Sequence, residues 1–88
     1  MPKFLDVHPL KGVDEESLRR FQNAPADEFQ VKAINLMYNH EVDKFYCLLE
    51  APNKQAIKDH HNKYGFECEW ITEVKTTAWF YISCLFDY

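Results

Sequence analysis

The chemistry available to this chain is set by its histidines and by the acids near them. His8 stands two residues after Asp6, His60 and His61 are adjacent, and His40 lies alone between Asn39 and Glu41. Imidazole combined with carboxylate is a ligand set for a borderline divalent ion: nickel, zinc or copper. Such binding needs neutral imidazole, so it weakens as the histidines protonate below about pH 6.5. Asp6 and His8, two apart on one strand, project from the same face about 7 Å apart. A hydrolytic triad is not supported, because no Ser or Cys sits beside a His with an evident orienting acid. With only Gly12 and Gly65 in the chain, there is no glycine-rich phosphate loop.

These side chains need elements to carry them. Phe4–His8 alternates as a strand, with Phe4, Asp6 and His8 on one face and Leu5 and Val7 on the other. Pro9 keeps His8 extended and places it at the strand's end. Asp14 is an N-cap, Glu15 and Glu16 suit the first turn of a helix, and Val13 with Leu18 fits a hydrophobic staple. Leu18, Phe21 and Ala24 form its apolar stripe. Pro25 interrupts it, and Ala26–Gln30 is expected to continue as a short helical piece.

Val31–Asn39 reads as a second strand, with Ile34, Leu36 and Tyr38 on one face and Ala33, Asn35 and Met37 on the other. A polar hairpin holding His40 leads into Phe45–Glu50, whose near-continuous apolar character suits a central strand. Pro52 stops that strand and Asn53 caps a second helix ending at Gly65. Ala56, Ile57, His60 and Tyr64 share its face, with His61 on the flank as a solvated neighbour. Glu67–Lys75 reads as a fourth strand, with Cys68, Trp70, Thr72 and Val74 on one side. Ala78–Phe86 is β-branched and aromatic on both faces and is expected to be a fifth strand in a subunit interface. The chain thus divides into a domain over 1–75 and a tail over 76–88.

The order β-α-β-β-α-β is solved by an α+β, ferredoxin-like split βαβ fold: a four-stranded antiparallel sheet with two helices on one face. Right-handed crossovers place the third strand between the first and second, and the fourth on the other side of the first. All four histidines then fall near one end of the sheet, joined by Glu67, Cys68 and Glu69, with Glu50 at the opposite end. Asp6, His8, His60 and His61 are therefore the candidate metal ligands. His40 reads as a surface residue, and Cys47, Cys68 and Cys84 read as small apolar side chains rather than nucleophiles.

A net charge of −4 and the lack of any basic stripe argue against nucleic acid. An odd number of cysteines with no CxxC pair suits a reducing compartment. Met-Pro-Lys leads directly into a strand, which gives no sign of a signal peptide, and the longest apolar run is too short to span a membrane. A cytoplasmic protein is expected. Aromatics make up 16% of the chain, more than two layers easily hide, which points to a homodimer or higher oligomer, or to a ligand cavity.

Phe4-Leu5-Asp6-Val7-His8, the segment Phe45-Tyr46-Cys47-Leu48-Leu49-Glu50-Ala51-Pro52, the histidine-bearing helix before Gly65 and Ile71-Thr72-Glu73-Val74 together resemble a small bacterial ferredoxin-like family. That family was long carried as a domain of unknown function and is typified by a dimeric nickel-binding protein. The resemblance spans Pro2 to Lys75. It implies a dimeric α/β-barrel assembly that holds a divalent metal, nickel first, through His8 and through His60 or His61. The tail departs from the family.

Three function classes follow. The first is a cytoplasmic, non-catalytic divalent-metal-binding homodimer. The second is a cofactor-independent oxygenase-like or small-molecule-binding α/β-barrel protein, with Phe4, Tyr38, Tyr46 and Trp70 lining its pocket. The third is an assembly module.

Overall fold

The computed structural model describes residues 1–77. The expected fifth strand, the tail beyond Thr77 and Cys84 lie outside the described residues. The elements are β1 (Lys3–Pro9), α1 (Glu15–Asn23), β2 (Lys32–Asn39), β3 (Lys44–Glu50), α2 (Lys54–Tyr64) and β4 (Trp70–Val74). The sheet order is β2-β3-β1-β4, with every neighbouring pair antiparallel. This is the ferredoxin-like arrangement that the element order predicts.

Strand alternation decides what each sheet face carries. Phe4, Asp6 and His8 of β1 pair with Leu49, Cys47 and Phe45 of β3 on the helix-covered face. There Phe4, Phe45, Cys47 and Leu49 meet Leu18 of α1 and Ile57 of α2 in one buried core, together with Leu10, Val31 and Ala51. On the open face, Val7 lies between Tyr46 and Trp70. Both helices start where the sequence places their caps. The Asp14 carboxylate accepts the Ser17 N–H at 2.8 Å, and the Asn53 side chain accepts the Ala56 N–H at 2.8 Å.

Gly65 closes α2 in the left-handed region at φ 72°, and the Phe66 N–H turns back to the His61 carbonyl at 3.0 Å. This cap sets Phe66 against His8 and Phe21, with ring centroids 5.8 and 5.4 Å apart. A Cβ at position 65 would have nothing within 4 Å, so its cost is backbone strain alone. Gly65→Ala is expected to lower stability by about 1–2 kcal/mol, seen as a lower urea midpoint with an unchanged slope.

Three local expectations are corrected. Ala26–Gln30 is not helical: the Asp27 carboxylate accepts the Phe29 and Val31 N–H groups at 2.9 and 3.0 Å, and this local bonding replaces helical bonding after Pro25. In β2 the register shifts between Ala33 and Asn35, so Ala33 shares the core side with Leu36 and simple alternation fails at Ile34. β4 begins at Trp70 instead of Glu67, because the Glu67 carbonyl is turned to a side chain of β1 rather than to a strand partner.

Candidate metal centre

Asp6 lies in the middle of β1, facing the helices, and is completely buried at 0% exposure. Two imidazoles close on it. Nε2 of His8, from the end of the same strand, is 3.1 Å from Oδ1; Nε2 of His61, from α2, is 2.9 Å from Oδ2. Both rings are buried, and they meet edge to face at 4.8 Å between centroids. His8 also stacks on Phe45. The chain segment linking α2 to β4 completes the group with Cys68. One ligand atom each from Asp6, His8, His61 and Cys68 lies within 4.8 Å of the others.

The hydrogen bonding around this group is incomplete. Nδ1 of His8 donates to the Glu67 carbonyl at 2.5 Å, which fixes the ring and leaves Nε2 as the nitrogen that faces Asp6. Neither oxygen of Asp6 receives a hydrogen bond of good geometry, although both are buried. A nitrogen lone pair and a carboxylate oxygen at about 3 Å repel unless a proton or a cation lies between them. Two opposed bonds of about 2.0–2.3 Å span roughly 4.0–4.6 Å, so one ion reaches all four donors after side-chain shifts of a few tenths of an ångström. The donor set therefore fits a divalent ion.

Electrostatics point the same way. Burial is the largest single influence on Asp6 and pushes its pKa up, but the imidazoles of His61 and His8 together outweigh it and hold the carboxyl below its ordinary value. Burial likewise pulls His8 down, and the Asp6 carboxylate, helped by the Glu67 carbonyl and the Glu69 charge, raises it overall. Burial, with the Asp6 charge second, raises Cys68, whose thiol donates to the Trp70 carbonyl at 3.2 Å. Ligation by Cys68 would release a proton. Burial drives Cys47 far above the thiolate range.

The fold places this group beside a cavity of about 240 Å³ between the sheet and the two helices, with Asp6, His8 and His61 in its wall. A family model described as nickel responsive protein SCO4226-like matches residues 4–74. The chain belongs to the SCO4226-like family. The crystal structure of SCO4226 from Streptomyces coelicolor A3(2) is similar at 25% identity and a TM-score of 0.70, over 86% of this chain and 99% of that one. No curated protein matches.

Within this SCO4226-like fold the candidate ligands separate. Asp6, His8 and His61 come together, and His61 is buried at 6% instead of flanking α2 in solvent. The reason is the position of Ile57: it is fully buried one turn earlier, so the residue stacked on it at i+4 also faces inward. His60 stands outside the group, its Nδ1 held by the Asp27 carboxylate. Burial tends to raise Asp27, but His60 and the backbone N–H groups of Val31 and Phe29 lower it overall. His40 is exposed and packs on the Tyr38 ring.

Two roles escape sequence reasoning: that of Cys68, which is placed at the histidine end of the sheet but not counted as a ligand, and that of Asp27, which holds His60 outside the group. Cys68 falls in a segment that reads as strand, where alternation groups it with Trp70, Thr72 and Val74, and Trp70 and Thr72 pair beside Val7 and Leu5 on the open face. Asp27 pairs with a residue 33 positions away and lies in a piece expected to be helical, so no local pattern records the pairing. None of the aromatics expected to line a pocket lines this cavity, although Trp70 lines a second, more open groove with His61, Phe66 and Cys68. Tyr46 and Trp70 belong to the open sheet face, Tyr38 bonds Glu15, and Phe4 is packed in the core.

Proposed function

We propose that this protein is a non-catalytic divalent-metal-binding protein of the cytoplasm, with nickel as its preferred ion, and that it acts as a homodimer. The observation that carries this reading is the buried Asp6 carboxylate, short of hydrogen bonds and facing two imidazole nitrogens and a thiol. A carboxylate, two imidazoles and a thiolate suit nickel, zinc and copper by donor chemistry, and the family description favours nickel among them. The Glu67 carbonyl that orients His8 plays the outer-shell part that ligating histidines generally need. The bound ion would supply a fixed positive charge where, without it, only protons bridge the carboxylate and the imidazoles.

The dimer rests on the open sheet face, where Met37 and Trp70 are 42% and 46% exposed beside Leu5, Tyr46 and Leu48. An apolar strip of this kind suits a second copy of the same sheet. Among the described residues no helix is long and apolar enough to cross a membrane.

Calorimetric titration of nickel, zinc and copper into metal-free protein tests the ion. Saturable binding of one ion per chain is expected, lost in His61→Ala and retained in His60→Ala. The absence of saturation, or equal binding by His61→Ala, rejects the reading. Light scattering on the same samples is expected to give twice the chain mass.

A further inference from the structure

The cavity of about 240 Å³ is larger than the metal group requires. An apolar site of about 150 Å³ already holds a benzene ring, so this one has room for a ring with a substituent. Its walls include the rings of Phe21, Phe45 and Phe66. Protein interiors leave few voids of this size, and planar walls favour planar guests.

One polar device in the wall is not used by the metal group. His60 lines the cavity, and its Nδ1 is engaged by Asp27. Asp27 is itself fixed by two backbone N–H groups at 2.9 and 3.0 Å, so the imidazole is held by a carboxylate that cannot swing. Nε2 of His60 has no hydrogen-bond partner among the described residues. A hydroxyl group both donates and accepts, so it satisfies that nitrogen whichever proton state the ring adopts.

We propose that the cavity binds a small planar aromatic molecule carrying one hydroxyl group, with its ring among Phe21, Phe45 and Phe66 and its hydroxyl on Nε2 of His60. Asp27 is the positioning residue. The site stands whether or not an ion binds at Asp6, and the test is run without metal.

The experiment is an amide-shift NMR titration of the full chain in chelator-treated buffer, with phenol, toluene and cyclohexanol as probes. Phenol is expected to saturate, with shifts centred on Phe21, Ala33 and Phe66, and toluene and the non-planar cyclohexanol each to bind at least tenfold more weakly. His60→Phe keeps a ring but removes the hydrogen bond, and should bring phenol down to the affinity of toluene. Ala33→Leu, which fills the cavity, should abolish binding of both. Failure of phenol to saturate, shifts centred elsewhere in the wild-type chain, or unchanged phenol affinity in His60→Phe would each overturn the proposal. The wild-type shift map locates the site even if a variant fails to fold.

Discussion

Asp6→Asn is expected to weaken nickel binding by more than about 100-fold while the metal-free chain still folds. Outer-shell partners of metal ligands already contribute roughly 10–100-fold, and Asp6 is central to the proposed ligand set itself. Its two oxygens each face the Nε2 of one imidazole. Asparagine keeps the volume and shape of the side chain, so the packing against Cys47 and Ile71 across the sheet is retained. What changes is the charge. Where His8 is neutral, Asp6 is a buried anion short of partners, and its removal should leave the metal-free protein at least as stable. Where His8 is protonated, the amide loses that ion pair, and stability should fall. Calorimetry gives the affinity, and urea midpoints at pH 5.5 and 8.5 give the two stabilities. Nickel affinity within a few-fold of wild type would remove Asp6 from the site.

The second large effect is the pH dependence of stability, which nickel should reverse. His8 has its folded pKa raised above 6.5, so its contribution is fully present below pH 6.5 and is lost as pH rises through the raised value. Asp6 has its folded pKa lowered below 3.8, so its contribution is present above pH 3.8 and is lost as pH falls through the lowered value. Metal-free protein should therefore be most stable between those limits and weaken toward pH 8. Nickel needs neutral imidazoles, so its stabilisation grows where that of His8 fades. At 100 times its dissociation constant, nickel adds about 2.7 kcal/mol, or roughly 10–20 °C in melting temperature. Melting curves from pH 4 to 9 should show the gap between loaded and metal-free protein widening above pH 6. A gap independent of pH would place the ion away from His8 and His61.

The fold was legible because its signals were local or periodic. Asp14 and Asn53 announced their helices, Gly65 announced an end, and Phe45–Glu50 read as the central strand. The β1 half of the site was legible for the same reason: a period of two puts Asp6 and His8 on one face, and topology brings α2 back to that end. Which neighbouring histidine turned inward was not legible. His60 and His61 are separated by one 100° step of a helix, and the choice depends on how Ile57 seats in the core. Cys68 was hidden by another kind of effect. A segment with strand-like composition left the sheet because one of its carbonyls was claimed by a distant imidazole, and no pattern within that segment records this.

That carbonyl bond joins residues 59 apart in the chain. His8 and Cys68 reach each other only after β1 has paired with β4, near opposite ends of the described chain. We expect a site closed by such distant segments to be completed only after the rate-limiting step of folding, so that refolding rates with and without nickel should agree. An ion bound there would leave the speed of folding largely unchanged and would act on the reverse reaction, lengthening the lifetime of the native chain. Metal content would then set how long each molecule survives between unfolding events, and with it the exposure of the chain to proteolysis.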